Sequence, residues 1–389
     1  MSEKKQLDIL REDIVIPEVV QKKVNDAFAQ IHRNEQEKIY EQQGGITLPR
    51  RNRKRIGVMI LAATLVLGSI TAVAAALKWS QSFDKELHMT EQQKADAQKS
   101  GLSTFVEQPV SDAGVTITAQ QSIVDNYYAF LSFRVEGYAV EKGEEPGFDR
   151  MTVTVDGKDV SYGANFYDGT IQAAGGKVVL ADGSPIPLDE NGNCISNYVM
   201  EDGTMEYNIY LSSNGEKGNL LNKPIHAEFE GLGTYMAKAG DIDIKIPGKW
   251  AFDWTLTGDD STYSAQVKET LGDTNATVTG VEISPISIKA VYDFPRTEEE
   301  GTPDGSILYE EPPALAGVKL KDGTLWPYLY MGPGMSGYVD DNSNQYENRF
   351  AVDRILEVDQ IESLLFWKTG VDLEDREPME EDFYVVDIR

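Results

Sequence analysis

"YYAFLSFRVEG" runs from Tyr127 to Gly137, and its residues alternate. Tyr127, Ala129, Leu131, Phe133 and Val135 fall on one side of an extended chain. Tyr128, Phe130, Ser132, Arg134 and Glu136 fall on the other. A period of two over that length, rich in aromatic and β-branched residues, predicts a strand with one face on a core. From about Val110 the same style continues in both directions: "GVTIT", "MTVTV", "KVVL", "MEYNIYLS", "IHAEFEG", "DIDIKI" and "WAFDWTLT". Asp156-Gly157, Asp182-Gly183 and Asn191-Gly192 mark turns between them. After Gly258 the pattern restarts with "YSAQVKE", "ATVTGVEIS", "SIKAVYDF", "AGVKLKD", "TLWPYLY", "RFAVD", "SLLFWKT" and "FYVVDI". Many short strands with regular turn signals predict β-sandwich-like domains. The 312 residues after Leu77 exceed one sandwich, so two domains are expected, 102–257 and 258–389, joined near Gly258–Ser261. "VTVDGKDV" and "VKLKDGTLW" are similar hairpin signals, one in each half, but too short to establish a repeat. Pro295–Pro313 is an acidic, Pro- and Gly-rich loop.

Upstream of the strands the composition changes. "FDKELHMTEQQKADAQKSG" (Phe83–Gly101) predicts a short stalk helix within 78–101, with Thr90 as N-cap, Gln93 completing a capping box and Gly101 as the stop. Before it, Ile56–Leu77 carries no charge and follows a basic cluster, Arg50, Arg51, Arg53, Lys54 and Arg55. About 22 helical residues reach about 33 Å, enough for a hydrocarbon core of about 30 Å. Ala72, Ala74, Ala75 and Ala76 resemble a cleavage site, but a signal peptide is shorter and starts nearer the N-terminus. The run is therefore read as a membrane anchor. The basic cluster keeps residues 1–55 cytosolic and places 78–389 outside, with Trp79 at the outer interface. Within the inner segment, Pro17 opens a helix whose Val20, Val24, Ala27, Phe28 and Ile31 form one apolar stripe. A free helix of this length is marginal in water, so the stripe needs a partner, either lipid headgroups or a cytosolic protein; protein docking through Val20, Val24, Phe28 and Ile31 is preferred. The expected fold is thus mainly β: a short cytosolic helix, one transmembrane helix, a short stalk helix and two extracytoplasmic β-sandwich-like domains.

Charge narrows the partners. The chain carries a net charge of −28, and the imbalance lies in the outer part. Residues 1–55 hold 12 Lys and Arg against 9 Asp and Glu; the rest holds 24 against 55. A surface that acidic repels nucleic acid, and solubility or attraction of cations and basic partners remains. Cys194 is the single cysteine, so no internal disulfide forms.

Catalytic patterns are sparse. Of the three histidines, His32, His88 and His226, only the last falls among the strands, where alternation explains it. Cys194 has no basic neighbour to activate it. "DDNSNQ" (Asp340–Gln345) and "DENGNC" (Asp189–Cys194) imitate the start of a calcium loop. Each lacks the turn glycine and the closing carboxylate, and both read as polar turns. Ser82-x-x-Lys85 and Lys368-Thr369-Gly370 echo serine acyl-transferases, but no Ser-Asp-Asn element accompanies them. Neither catalysis nor a cofactor is expected.

The arrangement as a whole resembles Gram-positive membrane proteins that carry domain of unknown function 4179. The similarity spans roughly residues 12–136, with "PVSDAGVTITAQQSIVDNYYAFLSF" its most specific stretch and "TVTGVEISPISIKAVY" the cue in the C-terminal part. The resemblance implies an anti-sigma-factor-like negative effector of an extracytoplasmic-function sigma factor, with that sigma factor as cytosolic partner. No zinc-binding His/Cys cluster of the well-studied anti-sigma type lies inside, and no self-cleaving Asn-Pro site lies outside. The rival reading is a surface binding or structural module on the same anchor, with an unspecified extracellular ligand.

Overall fold

The computed structural model describes residues 79–389 except 174–176, 191, 193, 214–218, 237–240, 298–309, 341, 372 and 374–375. The cytosolic helix with Val20, Val24, Phe28 and Ile31, the basic cluster Arg50–Arg55 and the apolar run 56–77 lie outside the described residues. So does most of the acidic loop 295–313. Among the described residues no helix is long and apolar enough to cross a membrane.

The protein is mainly β. Two short helices come first, α1 (Gln81–Glu86) and α2 (Glu91–Ser100). Eleven strands follow: β1 (Ser103–Asp112), β2 (Val115–Val124), β3 (Tyr128–Glu136), β4 (Pro146–Val155), β5 (Lys158–Asp159), β6 (Ser161–Phe166), β7 (Thr170–Gln172), β8 (Val178–Leu180), β9 (Met205–Ser212), β10 (Lys223–Tyr235) and β11 (Ile242–Leu256). They make a five-stranded sheet, β1-β2-β3-β9-β6, a four-stranded sheet, β11-β10-β4-β5, and the small hairpin β7-β8.

The second half holds β12 (Tyr263–Thr270), β13 (Thr277–Ile283), β14 (Ser287–Asp293), β15 (Leu315–Leu320), β16 (Leu325–Pro327), β17 (Tyr330–Tyr338), β18 (Gln345–Val352), β19 (Ile361–Trp367) and β20 (Phe383–Asp387). Its sheets run β12-β13-β14-β18-β17 and β16-β15-β19-β20. Strand for strand this is the order of the first half without the β7-β8 hairpin. The two hairpin signals of the sequence fall on β4-β5 and β15-β16, equivalent places in the two sandwiches. Their turns differ. Asp156 and Gly157 both have positive φ, at 54° and 69°, which is the two-residue turn that suits a twisted hairpin. The second hairpin uses a four-residue loop with Gly323 at φ 88°.

Each sandwich closes on its own aromatic core. In the first, Phe133 meets Phe229 and Phe252 edge-on at 4.9 and 5.3 Å, and the buried Trp250 donates from Nε1 to the Val115 carbonyl at 3.1 Å. In the second, Tyr292 packs on Phe366 at 5.8 Å. A third cluster ties the halves together: Phe83, Leu87, Ile123, Tyr128, Phe130 and Tyr210 continue into Ile286, Ala351 and Ile355.

Two expectations need correction. The strand at Tyr127–Gly137 was expected to face a core on one side only. Ala129, Leu131, Phe133 and Val135 do enter the first core, but Tyr128 and Phe130, on the other face, are also fully buried because α1 and the second sandwich cover them. The stalk is not one free-standing helix. The chain breaks at Leu87–Thr90, where His88 has φ 48°, and a second helix begins. Thr90 and Gln93 form the capping box, and Gly101 closes α2 at φ 87°. Both helices lie against the sheets, since Phe83 of α1, its C-cap Leu87 and Ala97 of α2 are buried. Trp79 sits edge-on to Phe105 at 6.0 Å and is partly buried.

Candidate binding cleft

The site builds outward from β9. "MEYNIYLS" alternates, so Met205, Tyr207, Ile209 and Leu211 point into the first core while Glu206, Asn208 and Tyr210 occupy the outer face. On a solvated sheet those three would face water. Here all eight residues of β9 are buried, because α1 lies across them.

The carboxyl of Glu206 takes four hydrogen bonds from the start of α1. Ser80 Oγ, Ser82 N and Ser82 Oγ donate to Oε2 at 2.7, 2.8 and 2.7 Å, and Gln81 N donates to Oε1 at 2.9 Å. The free N–H groups that every helix leaves in its first turn thus find an acceptor on a strand more than 120 residues away, with the favourable sign of charge. The Ser80 N–H in turn donates to Gln121 Oε1 at 3.0 Å. The first helical turn is thus held by two residues of the sheet, Glu206 and Gln121.

At the far end of α1, Glu86 meets the same strand. Its Oε2 accepts from Tyr210 OH at 2.8 Å and Asn208 Nδ2 at 2.9 Å. Part of the residue reaches the surface, but protein atoms surround its carboxyl head. Burial is the main cause that pushes this group from the ordinary range up to about 8, helped by the nearby Glu206 and Asp168 and opposed by the two hydrogen bonds. Burial, with Glu86 beside it, also raises Tyr210 well above 10. Tyr167 is raised for the same reasons, and its buried hydroxyl has no hydrogen-bond partner among the described residues.

Glu86 forms one wall of a cleft of about 460 Å³ on the flank of the first sandwich, between β6 and β4. Phe148, Phe166 and Tyr207 make its floor, their rings 4.7–5.5 Å apart. Tyr162, Tyr198 and Tyr235 line it further out, and Tyr162 and Tyr235 are 36% and 48% exposed. Gly147 lets Tyr235 lie across the chain there: a Cβ at that position would stand 2.7 Å from the ring. Glu145 and Asp168 add carboxylates to the lining. Asp168 uses Oδ1 to hold Thr170, whose N–H and hydroxyl donate at 3.0 and 2.6 Å. Among the described residues no Lys or Arg forms an ion pair with Glu86, Glu145 or Asp168. The cleft combines aromatic rings with acids that have no ion-paired base among the described residues.

The other sites considered in the sequence fall elsewhere. Ser82 is fully buried and committed to Glu206, whereas Lys368 Nζ donates to the Glu381 carbonyl at 2.8 Å and lies over Tyr384. The two acyl-transferase elements therefore do not meet. His226 pairs with Asp253 at 2.9 Å on an exposed face, and His88 Nε2 contacts the Gln172 carbonyl at 3.0 Å. Cys194 is exposed. Asp340 caps its own turn through the Asn342 N–H at 2.7 Å and gives its carbonyl to Arg296. Among the described residues no group of three or more His, Cys, Asp or Glu is placed to hold a metal ion. Sequence reasoning missed Glu86, Glu206, Asn208 and Tyr210. The one available signal was a polar side of β9 made of Glu, Asn and Tyr rather than Lys, Thr and Ser.

No protein-family model and no curated protein matches the chain. It is similar to a solved structure described as "the crystal structure of the conserved domain protein from Bacillus anthracis", with 14% sequence identity and a TM-score of 0.40, over 74% of this chain and 95% of that one.

Proposed function

We propose that the chain is a single-pass membrane regulator of the anti-sigma-factor-like kind. Residues 1–55 hold a sigma factor in the cytosol through Val20, Val24, Phe28 and Ile31. Residues 56–77 cross the membrane, and the two sandwiches receive the signal outside. The observation that carries the reading is the attachment of α1. It begins four residues after the apolar run, and its first turn is pinned to Glu206 and Gln121 of the first sandwich. Through Gln93 Nε2, which donates to the Ile355 carbonyl at 3.1 Å, α2 also touches the second sandwich. A free tether would isolate the sandwiches from the membrane segment, whereas this clamp transmits any rearrangement of the sheets to residue 80. The alternative, a surface binding or structural module, is favoured by the cleft alone and needs no inner stripe.

The full chain with an affinity tag is the reagent that separates the two. A sigma factor is expected to co-purify with the wild-type chain and to be lost with Phe28→Asp, since burying Phe28 contributes about 1.5–3 kcal/mol to a docked interface. Membrane insertion of the variant stays unchanged. If no sigma factor is retained by the wild type, the surface-module reading replaces the regulator.

A further inference from the structure

We propose that the Glu86 cleft is a binding site for an organic ammonium group, carried either by a small molecule or by a lysine side chain. This deepens the sensing half of the function above, and the inference rests on that reading only for its place in signalling.

Three independent features of the cleft agree. Its floor and mouth are aromatic: Phe148, Phe166 and Tyr207 below, Tyr162 and Tyr235 exposed above. Ring faces carry negative potential and attract a cation that has shed its water. Its walls carry Glu86, Glu145 and Asp168, and among the described residues no Lys or Arg is ion-paired with them. A neutral apolar ligand would offer these acids no counter-charge, and an anion would be repelled by Glu145 and Asp168. Size agrees as well, since about 460 Å³ admits a head group of a few heavy atoms and part of a stem.

Binding of a cation also changes a proton. Glu86 faces Tyr210, Asn208 and Glu206 from β9, and Asp168 and Tyr167 from the segment before β7. None of these is cationic, so nothing among the described residues draws its proton off below about pH 8. An ammonium in the cleft favours the carboxylate, and the proton leaves to water. Affinity therefore rises with pH until the empty site is itself ionised.

The same clamp that makes α1 a transmitter makes this site an input to it, because Glu86 is the last residue of α1 and Glu206 holds the first turn.

The test is calorimetric titration of the full chain in an uncharged maltoside detergent with three probes: choline, its neutral carbon isostere neohexanol, and Nα-acetyl-lysine amide. At least one cation is expected to bind, at least about tenfold more tightly than neohexanol. Choline alone identifies a quaternary small molecule; the lysine derivative alone identifies a side chain. The double variant Tyr162→Ala/Tyr235→Ala, at exposed positions that the core does not need, is expected to weaken the cation about tenfold. Glu86→Gln keeps both hydrogen-bond acceptances at its oxygen and is expected to flatten the rise in affinity between about pH 6 and pH 9. Equal binding of neohexanol, no binding of either cation at millimolar concentration, or cation binding indifferent to both variants overturns the proposal. The titration is run on the purified chain without a sigma factor, so failure here leaves the regulator reading intact, and loss of sigma-factor capture leaves this one intact.

Discussion

The two sandwiches share a strand order but not an outer face. Matched through their ladders, Ile123, Phe130 and Tyr210 of the first sandwich correspond to Glu282, Lys289 and Arg349 of the second. The first set is buried beneath Phe83 and Leu87 of α1. The second set forms a charged lattice: Lys289 Nζ lies 3.1 Å from Glu347 and 3.5 Å from Glu282, and Arg349 stacks over Tyr127 at 4.4 Å. Part of that lattice, Glu282, Lys289 and Glu347, lines an open polar groove of about 560 Å³ where the first sandwich carries its helix. One backbone thus serves two purposes. Where a helix was to be held, the outer face became apolar with a buried acceptor; where none was, it became ionic, with Lys289 and Glu347 buried against each other and Arg349 buried against Tyr127 and Tyr128 of the first sandwich.

The equivalent turns of the two halves also meet. Residues 125–128 and 284–287 each link the second and third strands of their sandwich, and each is closed by a backbone hydrogen bond, Asp125 N to the Tyr128 carbonyl and Ser284 N to the Ser287 carbonyl. Asp125 Oδ2 accepts from the hydroxyls of Ser284 and Ser287, while Oδ1 accepts from the N–H groups of Tyr127 and Tyr128. Burial holds this carboxyl above the usual aspartate range despite its four donors. The contact joins like to like across the junction, with the carboxylate supplied by one copy and the hydroxyls by the other.

The largest effect that sharpens the comparison lies under α1. Phe83→Ala removes a fully buried ring and is expected to destabilise the protein by about 3–5 kcal/mol. Gln266→Ala, on the open face of the second sandwich, is expected to change stability by no more than about 0.5 kcal/mol. Denaturant titration of both variants checks the pair, and comparable losses would erase the distinction between covered and open faces.

The junction comes next. Asp125→Ala strands two serine hydroxyls and two backbone N–H groups, with an expected loss of about 2–4 kcal/mol. The wild type is expected to lose both sandwiches in one transition, and the variant in two. Tyrosine-to-tryptophan energy transfer reads this as a function of urea, because both halves contain both residues. A single unshifted transition in the variant would mean that the third apolar cluster alone couples the halves.

The smallest expected effect concerns Glu86 and depends on pH. Its folded value, about 8, lies above the ordinary carboxylate value of 4.5, so the folded state binds the extra proton between them. Its contribution to stability is therefore present below about pH 4.5 and is lost as pH rises through about 8. Glu86→Gln removes that loss and is expected to be more stable than the wild type by about 1–3 kcal/mol near pH 9, with the gap closing toward acid. Thermal melts across pH measure it. A pH-independent difference would mean that the Glu86 head is solvated, and the covered face would then be less sealed than the helix packing implies.

Much of this architecture is legible along the chain. Alternation at Tyr127–Gly137 and in "MEYNIYLS" places β3 and β9, Asp156-Gly157 places a tight hairpin, and Thr90, Gln93 and Gly101 mark both ends of α2. The paired hairpin signals hint at the repeat that the sheet orders display. The cleft was not legible. Its lining comes from the end of α1, from β4 and β6, and from the segments at Tyr198 and Tyr235, which no local period brings together. Nor did the stretch Phe83–Gly101 announce its break at His88, because a positive φ on a non-glycine residue depends on the helices being pinned on either side.

Local pattern by itself determined that the region after residue 101 is built of short antiparallel strands, where the turns and helix caps fall, and that the chain beyond residue 77 is strongly acidic. Side-chain alternation, capping and net charge act over a few residues or over the whole composition, and neither needs a partner in space. Only the tertiary structure decided which strand faces meet water. Glu206, Asn208 and Tyr210 would be an ordinary wet face of β9 if α1 were absent. With Ser80 and Ser82 folded onto them from 124 to 126 residues away, they become a buried acceptor network. That choice follows from the cost of desolvating polar groups, which is set by whatever segment covers them and is written nowhere in the strand itself.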